Sequence, residues 1–120
     1  ALHDMGVRVS LFMDPSADQI RLAAQLGTDR IELYTEPYAD AFKSGSGIEE
    51  QWQQYRDATA LATSLGVGVN AGHDLDLKNL PRFAEIEDLL EVSIGHALTV
   101  DAISIGFSNA IEAYQIALGN

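Results

Sequence analysis

The stretch VNAGHDL, from Val69 to Leu75, is matched in outline by VSIGHAL, from Val92 to Leu98. Each stretch contains a short apolar run that favours a buried strand, and then a Gly-His pair. We therefore predict two strands that end in the same way, at the start of the following loop. Glycine at such a place lets a ligand approach the backbone, and exposed N–H groups can hold a phosphate. Gly-His alone is a weak motif, but its repetition at equivalent positions suggests a shared ligand site.

Outward from these two stretches, the chain carries four strand signals. VRVSLFMD (Val7 to Asp14) and RIELYT (Arg30 to Thr35) are short, apolar and bounded by turn residues. VGVNAG (67–72) and LLEVSIG (89–95) are the third and fourth predicted strands. Predicted helices separate all four. Strands that alternate with helices indicate parallel strands joined by right-handed crossovers.

The predicted helices rest on caps and periodicity. Ser16 and Gln19 have the spacing of a capping box, and Gly27 would end that first helix. Apolar residues then recur at three- and four-residue steps from Ile48 to Leu65, which indicates a longer amphipathic helix. Further short helices are predicted around 79–84, 97–105 and 108–118. The stretch TEPYADAFKSGSG (35–47) is predicted to be an irregular, exposed loop because of its Pro, Gly and Ser content.

Composition excludes several classes of function. The 120 residues fit one domain, and a net charge of −11 without a basic stripe excludes a nucleic-acid interface. No apolar run approaches the ~20 residues of a membrane span, and the N-terminus lacks a signal-peptide pattern. The absence of cysteine excludes disulfides and fits the cytoplasm. With few cations available, any bound anion would be held mainly by backbone N–H groups and helix ends.

Each predicted strand also contains a polar residue, and these residues mark a candidate site. They are Ser10, Glu32, Asn70 and Ser93. The carboxyl ends of parallel strands carry the ligand site both in a barrel and in an open α/β sheet. A carboxylate within an apolar strand, as at Glu32, is costly to bury, so it is expected to be functional or locked in an ion pair.

The histidines invite two interpretations. His73 directly follows a strand and is either a general acid or base, or a loop histidine with a satisfied hydrogen bond. His96 precedes a helix, so its backbone N–H matters as much as its ring, whereas His3 near the N-terminus is expected to be unimportant. His73, Asp74 and Asp76 are clustered, but their spacing matches no zinc or iron signature, and no metal is expected.

The stretches VSLFMD, RIELYTEPYADAF, LGVGVNAGHDL and LEVSIGHAL, in this order and spacing, resemble the pyridoxine 5'-phosphate synthase family. The resemblance covers Val7 to about Leu118. It implies a (β/α)8 barrel of the α/β class, an oligomeric assembly, and no metal or organic cofactor. It also implies a transferase of vitamin B6 biosynthesis that condenses 3-amino-2-oxopropyl phosphate with 1-deoxy-D-xylulose 5-phosphate, releasing phosphate and water as the pyridine ring closes.

The resemblance also implies a role for particular residues. His73 is similar to the family's proton donor, and Glu32 to its carboxylate that stabilises the transition state. Asp74 is similar to a position that binds the aminoketone phosphate, and Gly95 with His96 to the pair that binds the same substrate. One Gly-His pair would then supply proton chemistry and the other a phosphate site.

The resemblance covers only the last four βα units of the family's barrel, as a single domain over residues 1–120. Four strands cannot close an eight-stranded barrel. The expected partners are therefore the missing N-terminal half and further copies in a homo-oligomer, besides small phosphorylated substrates. Two alternatives stay open: a catalytically silent half-barrel that serves as an association or phosphate-binding module, and an open, flavodoxin-like sheet that binds a phosphorylated ligand at its strand ends.

Overall fold

The computed structural model describes residue 6 and residues 8–119. Four strands form one parallel sheet in the order β1-β2-β3-β4. They are β1 (Ser10–Met13), β2 (Arg30–Tyr34), β3 (Gly68–Gly72) and β4 (Leu89–Ser93). All four predicted strands are confirmed, although each is shorter than predicted. Val7, the predicted start of the first strand, and His3 lie outside the described residues.

Six helices connect or follow the strands within the described residues. They are α1 (Ala17–Gln25), α2 (Glu36–Ser44), α3 (Ile48–Ser64), α4 (Leu80–Phe83), α5 (His96–Ile105) and α6 (Phe107–Ala117). The Ser16 side chain accepts a hydrogen bond from the backbone N–H of Gln19, which caps α1 as predicted. The helix predicted from the period between Ile48 and Leu65 is also confirmed, and it buries Trp52 and Tyr55.

The predicted loop at 35–47 is wrong. Most of it forms helix α2, which buries the Tyr38 side chain completely in the core. Pro37 occupies the first turn of the helix, where its missing N–H costs nothing, and Gly45 closes the helix at a φ of 72°. The Pro and Gly residues that suggested a loop therefore mark the two ends of a helix.

The two faces of the sheet differ. Ile31, Leu33, Val69 and Ala71 point to one face, where they are fully buried against the helices. Alternate residues of the same strands point to the opposite face, which no helix of the described chain covers. The polar strand residues predicted to mark a site lie on this open face, because side chains alternate along a strand. A sheet covered on one face by helices is consistent with part of a TIM-like barrel.

A β-bulge adjusts the last strand. Val69 pairs with Leu89, but the next residue, Asn70, pairs with Glu91, so that Leu90 is an extra residue without a partner on β3. Beyond the bulge, Glu91 and Ser93 lie on the open face, and Val92 packs against the core.

A polar layer crosses the open face at mid-height. Arg30 donates to the Asn70 side-chain oxygen at 3.0 Å, and the Asn70 amide donates to Glu91 at 3.1 Å. Arg30 and Glu91 also form an ion pair at 3.3 Å. The amide of Asn70 is thus satisfied on both sides, which makes this predicted polar position structural. The candidate site lies nearer the carboxyl ends of the strands.

The strand order bears on the open-sheet alternative. A flavodoxin-like sheet reverses its order at a switch point and carries helices on both faces. The four strands here follow chain order without reversal, and helices cover one face, so the doubly wound alternative is not favoured. Strands β1 and β4 form the two edges of the sheet over the described residues. None of the helices described is long and apolar enough to span a bilayer.

Candidate active site

One cavity of about 270 Å³ opens at the carboxyl ends of the strands. Its lining contains all five residues predicted to form the site: Glu32, His73, Asp74, Gly95 and His96. Phe12, Gly72 and Ser93 complete it. Residues that are far apart in sequence, from 32 to 96, are therefore brought together by the parallel register of β2, β3 and β4.

Glu32 projects from β2 onto the open face. Its carboxylate accepts a hydrogen bond from the Ser93 hydroxyl at 3.2 Å. Within the described part of the chain it forms no ion pair with Lys or Arg. Of the two alternatives for Glu32, a functional carboxylate or one locked in an ion pair, the ion pair is not found among the described residues, and the apolar neighbours of Glu32 point to the other face of the sheet. A half-exposed carboxylate that borders a cavity can face a ligand.

Gly72 makes the close approach of β3 and β4 possible. A Cβ at this position would lie 3.0 Å from the Ser93 Cβ and 3.6 Å from the carboxyl carbon of Glu32. The first contact is tighter than side chains normally allow. The glycine of the first Gly-His pair therefore lets β3 and β4 pack closely at Ser93, beside Glu32.

His73 has an uncommon backbone conformation. Its φ is 107°, a positive value that residues other than glycine seldom adopt. The fully buried Thr35 holds this backbone, since its hydroxyl donates to the His73 carbonyl at 2.5 Å and its N–H donates to the Gly72 carbonyl at 3.0 Å. Strain of this kind persists where the surrounding structure fixes it, and it concentrates at functional sites.

The His73 ring is surrounded by polar and aromatic groups. Its Nδ1 lies 3.0 Å from the Asp74 carboxylate and 4.0 Å from the Glu36 carboxylate. The Tyr34 ring packs against the imidazole with centroids 4.6 Å apart, and the Tyr34 hydroxyl donates to Glu36. His73 thus lies in a loop with carboxylates close to its Nδ1, as one interpretation expected, and its ring also lines the cavity.

The loop that follows His73 is firmly anchored. The Asn79 side chain donates to the Asp74 carbonyl at 3.1 Å and accepts from the Asp76 N–H at 2.9 Å. The buried Tyr38 hydroxyl donates to the Asn79 carbonyl at 2.7 Å. Burial raises the pKa of Tyr38 to about 12. Asp74, with a φ of 60°, is held by this network and turns its carboxylate toward the imidazole.

The second Gly-His pair forms the start of helix α5. Gly95 is the N-cap, and no side chain caps the helix. The first turn of α5 contains no acidic residue, in contrast to α1, α2 and α3. The first N–H groups of a helix lack intrahelical partners, and the helix dipole favours an anion beside them. This helix start can therefore accept a phosphate.

Sequence reasoning missed two residues that surround the His73 ring, Glu36 and Tyr34. Glu36 lies in the segment predicted to be an exposed loop, and the strand pattern around Tyr34 does not indicate that its ring meets His73. Pro37 is typical of the first turn of a helix, and this signal could have placed Glu36 at a helix start. Asp76, expected to cluster with His73, instead accepts hydrogen bonds from the N–H groups of Lys78 and Asn79.

Glu36, His73 and Asp74 place one possible ligand atom each within 4.8 Å of one another. The close contact between the His73 Nδ1 and the Asp74 carboxylate accounts for the position of Asp74 without a metal. The hydrogen bond from the Tyr34 hydroxyl accounts for the position of Glu36 in the same way. We therefore assign the three residues no metal.

The sequence model of the family described as "Pyridoxal phosphate biosynthesis protein PdxJ" matches residues 1–120. The chain belongs to the PdxJ family. Its curated relatives include pyridoxine 5'-phosphate synthases from Porphyromonas gingivalis and Cytophaga hutchinsonii, both 52% identical, over 94% and 91% of this chain. The synthase of Xanthomonas campestris pv. campestris is 47% identical over 95% of this chain.

These matches cover less of the relatives than of this chain. They span 47%, 45% and 44% of the three synthases, in the order just given. The chain thus spans about half the length of the curated PdxJ relatives that it matches. The resemblance noted in the sequence is confirmed at the level of the family, and a catalytically silent module is not favoured.

Proposed function

We propose that this chain supplies one side of the active site of a pyridoxine 5'-phosphate synthase. The observation that carries the proposal is the convergence of Glu32, His73, Asp74, Gly95 and His96 on one cavity. The relatives that share about half of its residues are named for this activity. The substrates would be 3-amino-2-oxopropyl phosphate and 1-deoxy-D-xylulose 5-phosphate, and the reaction a ring-closing condensation in vitamin B6 biosynthesis.

In this proposal, residues 1–120 are the last four βα units of a (β/α)8 barrel. The sequential strand order, the helices on one face and the polar open face all support it. Further strands would pair with the edges of β1 and β4 and would cover the layer of Arg30, Asn70 and Glu91. They would also enclose the cavity, which is open in these residues alone.

His73 would transfer protons to or from the condensing substrates. Its ring lines the cavity, and an imidazole changes charge near neutral pH, as a general acid needs. Glu32 would stabilise positive charge that develops on the amine-derived nitrogen during the condensation. Its position beside Ser93, with no cation paired to it within the described chain, leaves its charge available to a substrate.

The phosphate of the aminoketone would bind at the start of helix α5. The backbone of Gly95 and His96 would supply the donors, together with the backbone near Asp74. Because the Asp74 carboxylate is directed to His73, this residue would contribute through its main chain. Such a site needs no lysine or arginine, which suits a chain with a net charge of −11.

The assembly would be a homo-oligomer located in the cytoplasm. Helix α5 has no buried residue, and Ile103, Phe107 and Ile116 are 83%, 63% and 65% exposed. Exposed large apolar side chains on two helices that pack against each other suggest a surface that another chain covers. The lack of cysteine is compatible with a reducing compartment.

A chimera tests the proposal. In this chimera, called the chimeric synthase below, the present chain replaces the aligned 114-residue segment of the Porphyromonas gingivalis relative. We expect it to form pyridoxine 5'-phosphate from the two substrates. Glu32→Gln, which removes charge and retains shape, should lower its turnover while the melting temperature stays unchanged. An inactive but folded chimera, or a fully active Glu32→Gln variant, contradicts the proposal.

The half-barrel claim has its own test. The 120-residue chain alone should show no synthase activity, because its sheet has two free edges and an uncovered face. Mixing it with the remainder of the Porphyromonas gingivalis synthase should restore both product formation and a cooperative melting transition. Product formation by the isolated chain would show that the division into halves is wrong.

A further inference from the structure

We propose that Glu36, held by the Tyr34 hydroxyl, acts with Asp74 as a pair of carboxylates that positions Nδ1 of His73. The two carboxylates would keep a proton on Nδ1 and leave Nε2 as the nitrogen that exchanges protons with substrate. Glu36 and Tyr34 are then positioning residues for the reaction. The inference rests on the proposed function of His73, but its main measurement does not depend on catalysis.

The distances define the arrangement. Asp74 lies within hydrogen-bond distance of Nδ1, at 3.0 Å, and Glu36 lies 4.0 Å from the same nitrogen. Both carboxylates therefore face one edge of the imidazole. The Tyr34 hydroxyl has a single proton, which it donates to the Glu36 oxygen nearest to His73. This bond directs the Glu36 carboxylate toward the ring.

The fold explains why these residues meet. Tyr34 pairs with Gly72 in the register of β2 and β3, so its side chain lies beside the residue that follows Gly72, which is His73. The Tyr55 hydroxyl fixes the backbone of Tyr34 by donating to its carbonyl at 2.5 Å. Helix α2 begins directly after this strand and places Glu36 in its first turn. The end of β2 and the start of α2 thus place Tyr34 and Glu36 beside His73.

The chemistry follows from the two nitrogens of imidazole. A neutral histidine carries one N–H, and an acceptor next to one nitrogen draws that proton to it. With carboxylates at Nδ1, the other nitrogen holds a lone pair in the neutral ring and a transferable proton in the charged ring. The Tyr34 ring, 4.6 Å away and tilted by 54°, restricts rotation of the imidazole. Ring orientation and tautomer would both be set before substrate binds.

The Asp74 carboxylate alone is a weaker explanation. The Asp74 and Glu36 side chains are 43% and 40% exposed, so water competes with either carboxylate for Nδ1. Glu36 is fixed from a separate helix through Tyr34. A second acceptor, anchored from another element, would keep the proton on Nδ1 when water displaces the Asp74 carboxylate.

Nitrogen-15 NMR of the histidine ring in the chimeric synthase tests the inference directly. We expect neutral His73 to give the shifts of an Nδ1–H tautomer. Glu36→Gln and Tyr34→Phe should each move these shifts toward a mixture of tautomers, and Glu36→Asp should partly restore them. Tyr34→Phe retains the aromatic ring and serves as the second variant if Glu36→Gln does not fold.

Kinetics provide the second readout. Glu36→Gln and Tyr34→Phe should lower kcat by about 10-fold, the scale on which loss of a group that orients a histidine lowers activity, with little change in KM for either substrate. Glu50→Gln makes the same chemical change in the exposed first turn of α3 and is the matched control, with kcat unchanged.

The outcomes separate the two proposals. If His73→Asn is inactive but Glu36→Gln changes neither the tautomer nor kcat, the positioning role is refuted and the proposed function stands. If His73→Asn retains normal turnover, the proton-transfer role of His73 fails. In that case the NMR shifts still decide whether Glu36 sets the tautomer. An Nε2–H tautomer in the unchanged chimera refutes the inference outright.

Discussion

Gly72-His73 and Gly95-His96 are the same dipeptide in two different surroundings. Gly72 is packed between Glu32 and Ser93, and an added Cβ at Gly95 would meet nothing within 4 Å. His73 has a positive φ and several side-chain partners, whereas His96 begins helix α5, which has no side-chain cap. The comparison teaches that a repeated motif can share a location, the carboxyl end of a strand, without sharing a task. At the first pair the side chains are held in place by their neighbours, whereas at the second pair the backbone N–H groups of a helix start are exposed to a ligand.

The largest expected difference is between the two histidines. His73→Asn in the chimeric synthase should lower kcat by ~10²-fold or more, which is the scale of general acid–base catalysis. His96→Asn keeps the backbone N–H and should mainly raise KM for the aminoketone phosphate. Steady-state kinetics with each substrate varied in turn measures both effects. Equal losses of kcat in the two variants would mean that the two pairs do the same work.

The two glycines should separate stability from binding. Gly72→Ala forces a Cβ to 3.0 Å from that of Ser93, so we expect a loss of about 1–3 kcal/mol in the free energy of unfolding. Gly95→Ala should leave that free energy unchanged. Denaturant titrations of the two variants of the chimera provide the comparison, and each variant is the control for the other. Similar stability losses would show that the start of α5 is as tightly packed as the end of β3.

A larger side chain at Gly95 should discriminate between the substrates. A Cβ at Gly95 would meet nothing within 4 Å, and the side chain of Gly95→Val would hold the phosphate away from the backbone donors. A hydrogen bond to a charged group contributes about 1.5–3 kcal/mol, so affinity for the aminoketone phosphate should fall by roughly 10-fold or more. Affinity for the deoxyxylulose phosphate should change little. Calorimetric titration with each substrate measures this, and parallel losses would place the aminoketone site elsewhere.

The smallest effect concerns the anchoring of the first pair. Tyr38→Phe removes the hydrogen bond to Asn79 and should cost about 1 kcal/mol at neutral pH, with little change in kcat. In the unfolded chain the phenol ionises near pH 10, but in the folded chain its pKa is about 12. Ionisation of the phenol therefore lowers the free energy of the unfolded state before that of the folded state. As a result, the free energy of unfolding falls as pH rises from 10 toward 12.

The loss of stability at alkaline pH tests whether the Tyr38 hydroxyl is buried and protonated in the folded chain. Burial also raises the pKa of Tyr55 and Tyr114, so the Phe variant should lose stability less steeply than the unchanged protein in this window, without becoming independent of pH. Melting temperatures between pH 8 and pH 12 measure the slope. Identical slopes would show that Tyr38 is already ionised, or exposed, in the folded state.

Much of the fold was predictable because local signals agreed with the tertiary structure. The apolar runs gave the four strands, and Ser16 and the stripe from Ile48 to Leu65 gave two of the helices. Helix α2 was missed because Pro and Gly at its ends outweighed Tyr38 and Ala39, whose burial depends on packing against distant segments. Composition averages over a stretch and does not show which residues are at its ends.

The candidate site was predictable as a set of residues, but not as a set of interactions. Glu32 and Ser93 were visible as polar residues in apolar strands, and the parallel topology places them at one edge. The register that makes them hydrogen-bond partners is not encoded by either strand alone. Proximity in sequence suggested Asp76 as a neighbour of His73, whereas folding supplies Glu36 from another helix. The roles of the individual residues remain predictions.

The bulge at Leu90 determines which side chains the last strand offers to a substrate. In uninterrupted alternation from Leu89, Val92 would face the cavity and Ser93 the helices, so Glu32 would lose its donor. The additional residue thus shifts the in-and-out alternation of side chains by one position between the start of β4, which contributes to the core, and its end, which borders the cavity. The number of residues in this strand therefore decides which side chains reach the cavity, whatever those residues are. A strand that kept Leu90 but paired without the bulge would preserve every named side chain of the site and still present the wrong surface.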